Sequence, residues 1–370
     1  MTNNAVEKRE RLNSLDTLRG FDMLWIIGGD ELISVLAKVT GWNWMYPVAQ
    51  QMHHASWAGF HFEDLIFPLF MFISGVAIPF ALTSRLEKGT AKSVLHKKVF
   101  QRMILLVLFG LLYNGALKNG FTDMRYPSVL SQIGIAYFFA ALIVINTNTL
   151  KARLFWLIGI LAGIAVMQHF VPVPGFGAGT FTPEGSINAW IDQHFLPGKL
   201  IYKTYDPEGI LCIISAISVT LMGTFAGVLL RDKSINSSKK TIILIISGAS
   251  LVLIALVLSP VYPIIKKIWT VPFNLLTSGI SFLLLATFYY IIDVKSWNKW
   301  IFFFKVIGLN SITIYLGTQM IDFWHTSEFL LGSVAGLLGN FGEVLIIVGV
   351  ISIEWIFLFY LYKNKIFLRV

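Results

Sequence analysis

Long apolar segments, separated by shorter polar ones, run along almost the whole chain. A helix needs about 20 mainly apolar residues to cross a hydrocarbon core of roughly 30 Å, and most of these segments reach that length. The pattern predicts an all-α fold, a polytopic transmembrane helical bundle of about ten (ten or eleven) spans, of which the third is short. The predicted spans lie at 17–37, 62–84, 103–117, 127–147, 154–171, 208–230, 241–259, 271–292, 301–320 and 337–362.

Composition supports the membrane class. Hydrophobic residues make up 56% of the 370 positions, charged residues 13%, and the mean hydropathy is +0.71, which excludes an ordinary soluble domain. Residues 1–11 are charged and lack an apolar core, so no cleaved signal peptide is expected and the first span stays in the membrane. Cys212 is the single cysteine, which excludes an intrachain disulfide.

The distribution of lysine and arginine orients the bundle. With the N-terminus inside, most of the 29 basic residues fall on the inner segments, so both termini are predicted to be cytoplasmic. Basic residues kept on cytoplasmic loops also account for the net charge of +9, so the charge does not call for a nucleic-acid partner. The expected partner is the lipid bilayer. Without a soluble domain or an internal repeat, residues 1–370 are interpreted as a single transmembrane domain.

Two loops lie on the outer side in this topology. The loop from about Gly41 to Phe60 carries His53 and His54 at the threshold of the second span. An imidazole at a bilayer boundary is unfavourable unless it is paired or hydrated, so it indicates a functional site. The longest irregular stretch, 171–207, combines proline and glycine with aromatic residues, which favours a packed cap over the site.

A helix that continued back from the second span would align the polar residues before it. His54, Trp57, His61 and Asp64 then occupy positions i, i+3, i+7 and i+10 and share one face. This spacing predicts a His61–Asp64 pair, although an interfacial position among aromatic residues explains His61 equally well. Asp30 reaches about the same depth, and a carboxylate beside an imidazole orients a base.

Further polar residues begin spans on the same side. Arg125 opens the fourth span, and Asp206 and Glu208 open the sixth, where helix capping alone would explain Asp206. The sequence contains no phosphate loop, dinucleotide fingerprint, paired-cysteine site or nucleophile elbow. No helix carries the i, i+4 histidine pair of the zincins, so no metal is expected.

Five motifs occur in order along essentially the whole chain. The central one is His54-Ala-Ser-Trp-Ala-Gly-Phe followed by Asp64-Leu-Ile-Phe-Pro-Leu-Phe-Met-Phe-Ile-Ser-Gly. The others are Leu15-Asp-Thr-Leu-Arg-Gly, Arg125-Tyr-Pro-Ser-Val-Leu, Tyr205-Asp-Pro-Glu-Gly-Ile-Leu and Gly308-Leu-Asn-Ser-Ile. Together they resemble the heparan-alpha-glucosaminide N-acetyltransferase family, whose lysosomal members carry an extra luminal domain, so a bacterial catalytic membrane domain is expected.

The resemblance implies transfer of acetyl from cytoplasmic acetyl-CoA to the amine of a terminal glucosamine across the membrane. The family's catalytic histidine precedes Ala-Ser-Trp, which here is His54 and not His53. A family asparagine at the outer end of the first span assists it, and Asp30 stands at that position. His54 is thus expected to act as general base or transient acetyl carrier, oriented by Asp30 or Asp64.

The other expected roles are hypotheses about how these residues would carry out that reaction. The acceptor site is expected to contain Glu208, Asp206, Trp57, His61 and Arg125, and either Arg125 or a backbone amide is expected to stabilise the oxyanion. Acetyl-CoA is the expected donor. Its expected contacts are Arg19 and Arg102 at the inner surface and Gly29, Ser74 and Asn310 further in, where Asn310 equally fits helix packing.

Two other functions fit these residues. A secondary sugar transporter would also place acids and histidines in the membrane, but would consume no acetyl-CoA. An O-acyltransferase of cell-envelope glycans would use the same architecture and prefer hydroxyl acceptors. The expected location is the bacterial inner membrane, with the active site facing the periplasm and the chain a candidate homodimer.

Overall fold

The computed structural model describes residues 12–120 and 124–368. That part of the chain is helical, as predicted, apart from loops and two isolated β-bridges. The helices are α1 (Asn13–Leu24), α2 (Asp30–Thr40), α3 (Met45–Gln51), α4 (Glu63–Ile78), α5 (Ser84–Glu87), α6 (Lys92–Tyr113), α7 (Ala116–Asn119), α8 (Val129–Asn146), α9 (Leu150–Phe170), α10 (Ile187–Phe195), α11 (Ile210–Arg231), α12 (Ser237–Leu258), α13 (Val271–Tyr289), α14 (Ile301–Leu309), α15 (Ser311–Met320), α16 (Phe323–Leu337) and α17 (Gly342–Lys363).

Seven of the described helices are long and apolar enough to cross a membrane, and α14 with α15 makes an eighth if this bent pair forms one span. These helices fit a multi-pass membrane protein. The third predicted span, 103–117, falls on the second half of α6, a helix of 22 residues that carries lysines and an arginine in its first three turns and is not among these seven. The count of ten spans and the side of each terminus stay predictions.

Close backbone contact between α4 and α11 holds the centre of the bundle. A Cβ added at Gly223 would lie 2.1 Å from the carbonyl oxygen of Phe72, and one added at Gly75 would lie 2.0 Å from that of Thr220. Small residues permit this approach, and helices in membranes associate largely through such packing.

We expect Gly223→Ala to lower the unfolding temperature of the purified chain, because the new methyl group forces α4 and α11 apart at a cost of about 1–3 kcal/mol. Gly163→Ala is the matched control. A Cβ at Gly163 on α9 meets nothing within 4 Å, so it brings the same gain in helix propensity without the clash. Equal thermal stability of the two variants would contradict the packing described here.

Two of the predicted spans, the first and the ninth, are interrupted by a break in the helix. A π-helical turn, Trp25–Gly29, separates α1 from α2, and Gly28 within it has a φ of +111°, a conformation that favours glycine. The second break lies at Asn310, where α15 turns by 70° from α14. Irregular backbone at membrane depth persists only when it is buried in protein or lines a cavity, so both breaks indicate a site between them.

Residues 52–62 form a loop, and α4 begins only at Glu63. The predicted helical stripe through His54, Trp57 and His61 is therefore wrong. The loop is held instead by distant segments: the backbone N–H of Gly59 donates to the carbonyl of Ile264 at 2.9 Å. Tertiary contacts decide the conformation here, because Ala-Ser-Trp-Ala-Gly has no strong helical preference of its own.

Candidate active site

His54, Asp64 and Lys266 form the centre of the site. Nδ1 of His54 lies 3.1 Å from Oδ1 of Asp64, whose side chain is 1% exposed. Nζ of Lys266 lies 3.4 Å from the same oxygen and 3.0 and 3.2 Å from the two ring nitrogens of His54. Because these last two distances are nearly equal, the ammonium group lies against the face of the imidazole.

Asp64 also shapes the loop that carries His54. Its second oxygen, Oδ2, accepts hydrogen bonds from the backbone N–H of Ala55 at 3.2 Å and of His61 at 3.0 Å. The carboxylate thus closes the loop onto the start of α4 and meets Nδ1 of His54. A carboxylate at Nδ1 favours the tautomer with the proton on that nitrogen, which leaves Nε2 to act as a base.

The predicted pairing of His61 with Asp64 is wrong for its side chain. Nδ1 of His61 lies 2.7 Å from the carbonyl oxygen of His53, so the ring stabilises the loop. The indole N–H of Trp57 donates to the carbonyl of Phe181 at 2.7 Å, and its ring meets Tyr205 edge-on at 5.1 Å. These contacts tie the histidine loop to the stretch 171–207.

Lys266 is the main residue that the sequence interpretation missed. It lies in the short helical turn Lys266–Ile268, and burial lowers its pKa while the carboxylates of Asp64, Glu63 and Glu208 oppose the shift. The neighbouring Lys267 donates to the carbonyl of Ser56 at 2.7 Å. Two adjacent lysines on a loop predicted to be outer, where basic residues are few, were the available signal.

Arg125, Asp206 and Glu208 form an ion-pair cluster beside this centre. Nε and Nη2 of Arg125 donate to the two oxygens of Asp206 at 2.7 and 2.6 Å, and Nη2 also donates to Glu208. Burial alone would lower the pKa of Arg125, but the two carboxylates raise it above its ordinary value. Asp206 is fully buried in this pair, so it is not available to a sugar without breaking a bidentate contact.

A cavity of about 460 Å³, the histidine cavity, joins these groups. His54, Lys266, Arg125 and Glu208 lie on its wall with Glu63, whose Oε2 is buried and accepts no hydrogen bond within the described residues. Met23 of α1, Ile26 of the turn Trp25–Gly29, Phe70 of α4, and Ser311 and Tyr315 of α15 are also part of the lining. The cavity therefore reaches from the histidine loop to both helix breaks.

Asp30 lies in a different cavity, which is about 760 Å³ in volume and also contains His53, Glu31, Asp322 and Glu354. Asp30 is within electrostatic range of both histidines. The carboxylate in contact with His54 is nevertheless that of Asp64, so the structure favours Asp64 among the two orienting residues that were predicted. A role for Asp30 stays a prediction.

A third and largest cavity, of about 980 Å³, opens at the end of the bundle that carries the basic segments. We call it the basic cavity, because Arg19, Lys88, Arg153, Arg231 and Lys233 outnumber three acidic residues on its wall. Of the predicted acetyl-CoA contacts, only Arg19 lines it. Arg102 lies 3.9 Å from the ring centroid of Tyr137, and Gly29, Ser74 and Asn310 lie deeper in the bundle.

In the described part of the chain, no group of three or more His, Cys, Asp or Glu residues is arranged to hold a metal.

The fold and the site together define a helical protein of the membrane class with a histidine–aspartate–lysine centre at an internal cavity. A family model described as a domain of unknown function (DUF5009) matches residues 11–171. The chain is 27% identical to the heparan-alpha-glucosaminide N-acetyltransferase of Mus musculus and 26% identical to that of Homo sapiens, each over 97% of this chain. It spans 60% of the length of these relatives. The resemblance predicted from the motifs is confirmed.

Proposed function

We propose that this chain is a membrane acetyltransferase that moves an acetyl group from acetyl-CoA to the amine of a glucosamine-type sugar. The observation that carries the proposal is the His54–Asp64–Lys266 cluster at the histidine cavity. An imidazole oriented by a buried carboxylate is suited to accept a proton from an attacking nucleophile. The similarity to relatives that are named N-acetyltransferases supports the reaction class.

In the proposed reaction the neutral amine attacks the thioester carbonyl, so that a C–N bond forms and the C–S bond breaks. Nε2 of His54 takes the proton released by the amine and returns it to the departing thiolate, giving the amide and free CoA. The ammonium of Lys266 stabilises the tetrahedral oxyanion. Lys266 replaces Arg125 in this role, since Arg125 is committed to Asp206 and Glu208.

Transfer through an acetyl-His54 intermediate uses the same groups. In that route the imidazole itself attacks the thioester, and the amine then attacks the acetyl-imidazole. The 47% exposed side chain of His54 allows either route. Trapping radiolabelled acetyl on the protein in the absence of an acceptor would distinguish them.

The donor fits the basic cavity. Its cationic wall suits the phosphates of the CoA nucleotide, and α1 and α4 extend from that wall to the histidine cavity. For the acceptor, Glu63 is better suited than Asp206, because its buried Oε2 lies on the cavity wall with no hydrogen bond from the described residues. Glu208 also lines that wall.

The proposed location is a bacterial inner membrane. The basic segments predict that the basic cavity faces the cytoplasm, where acetyl-CoA is made, and that the histidine loop faces the periplasm. We also propose that the chain forms a homodimer, as the resemblance to the family implies.

The purified full-length chain in detergent should release CoA thiol from acetyl-CoA when glucosamine is added, and should form N-acetylglucosamine. N-acetylglucosamine as the acceptor is the control, because it offers hydroxyls and no amine. Thiol release with that control alone would indicate the O-acyltransferase instead. Transport of labelled glucosamine into vesicles with no thiol release would indicate a transporter.

A further inference from the structure

Three structural elements line both the basic cavity and the histidine cavity. On α1, Leu15 and Arg19 lie on the basic cavity, whereas Met23, together with Ile26 in the turn that follows, lies on the histidine cavity. On α4, Ala77 lies on the basic cavity and Phe70 on the histidine cavity. At the α14–α15 break, Leu309 lies on the basic cavity and Ser311 on the histidine cavity. The two cavities are therefore successive chambers along the same helices.

Each of these elements carries a polar residue between the positions at which it lines the two chambers. On α1, Asp22 lies three residues after Arg19, on the same face of the helix, and one residue before Met23. Ser74 lies between Phe70 and Ala77 in the same way, and Asn310 separates Leu309 from Ser311. We call these three residues, Asp22, Ser74 and Asn310, the septum.

Two septum side chains are buried without hydrogen-bond partners. Asp22 is 0% exposed and Asn310 is 2% exposed, and neither the carboxylate oxygens nor the amide atoms form a hydrogen bond within the described part of the chain. Ser74, by contrast, donates to the carbonyl of Met71 at 2.7 Å. Nη1 of Arg19 lies 3.5 Å from Asp16, and the charge of Arg19 also acts on Asp22.

Unpaired polar groups of this kind are unfavourable in a folded protein and call for an explanation. An extended ligand with amide groups along its length would supply one. The pantetheine arm of CoA carries two amides and a hydroxyl. Its N–H and O–H groups match the acceptor oxygens of Asp22, and its amide groups match the donor and acceptor of the Asn310 amide.

We propose that Asp22 and Asn310 bind the amide groups of the pantetheine arm where it passes from the basic cavity into the histidine cavity. This assignment rests on the proposed acetyl-CoA-dependent function. Arg19 and Ile26 are separated by about 10 Å along α1 and the start of the turn that follows it, at roughly 1.5 Å per residue. An extended pantetheine arm spans that distance, which places the nucleotide at one chamber and the thioester near His54 at the other.

The test compares two ligands on the purified full-length chain in detergent. CoA contains the pantetheine arm, and adenosine 3′,5′-bisphosphate contains most of the nucleotide half without the arm. Asp22→Leu and Asn310→Leu preserve the approximate side-chain volume and remove the polar atoms. We expect each to weaken CoA binding by about tenfold and to leave binding of the bisphosphate unchanged.

Thermal unfolding supplies a second readout. Because each substitution removes buried unpaired polar atoms, the variants should unfold at the same temperature as the original chain or higher. Ser278→Ala is the matched control: its hydroxyl is also buried and unpaired within the described residues, but it lies on α13, a helix that lines neither chamber. It should bind both ligands normally.

The possible outcomes separate this inference from the proposed function. Unchanged CoA binding in both leucine variants, or an equal loss for both ligands, would overturn the septum assignment while leaving an acetyl-CoA-dependent enzyme intact. Failure of the original chain to bind CoA at all would overturn the proposed function and the septum assignment together.

Discussion

His54→Ala is expected to reduce acetyl transfer from acetyl-CoA to glucosamine by about 10²–10⁴-fold, the usual contribution of a general acid–base group. The side chain is the imidazole that contacts Asp64 at the histidine cavity. Its removal leaves the binding chambers in place, so the loss should appear in kcat. Initial rates of thiol release, measured at saturating donor and acceptor, check the result.

His53→Ala is the matched control. The ring of His53 lies in the cavity with Asp30, and its contact with His61 uses the backbone carbonyl, which the substitution keeps. Its activity should remain close to that of the original chain. Wild-type turnover by the His54 variant, or an equal loss in both variants, would be incompatible with the assignment of His54 as the base.

Lys266→Met is the second change with a large expected effect. If the ammonium stabilises the oxyanion, its loss should lower kcat by about 10²–10³-fold and leave the KM for both substrates nearly unchanged, because the interaction forms only in the transition state. Lys266→Arg keeps the positive charge and should recover part of the activity. Steady-state kinetics at several donor and acceptor concentrations separate kcat from KM.

Lys267→Met provides the comparison for that experiment. This lysine donates to the carbonyl of Ser56 and lies over the ring of Tyr202, with Nζ 4.7 Å from the centroid. Lys267 therefore supports the loop through Ser56 and Tyr202 and not through His54 or Asp64. Its loss should lower kcat less than the loss of Lys266 does. A rise in KM with unchanged kcat in the Lys266 variant would assign Lys266 to substrate binding instead of catalysis.

Local signals in the chain were enough for part of the site. The resemblance distinguished His54 from His53, and the proximity of Asp64 in sequence made it one of two expected partners. The predicted alignment of His54, Trp57, His61 and Asp64 on one helical face was wrong, because residues 52–62 are a loop. His54 still contacts Asp64, since the backbone N–H groups of Ala55 and His61 fold the loop back onto that carboxylate.

Other residues could not be placed in the same way. Lys266 is more than two hundred positions from His54, and no pattern along the chain joins them. The predicted oxyanion role of Arg125 ignored Asp206, which becomes its partner only when the stretch before α11 folds against it. Asp30 and His54 have similar predicted depths, but depth alone does not say which cavity a side chain enters.

The sequence by itself determined the helical membrane character and the family resemblance, and it predicted which histidine is the base. Apolar content and helical period are local properties, and a run of apolar residues must satisfy its backbone internally wherever it lies in a bilayer. Only the tertiary structure decided that Lys266 joins His54, that Arg125 is committed to two carboxylates, and that Asp22 and Asn310 are buried with no hydrogen-bond partner among the described residues. Those facts depend on which faces of distant helices pack together, and a pattern along one dimension does not specify that packing.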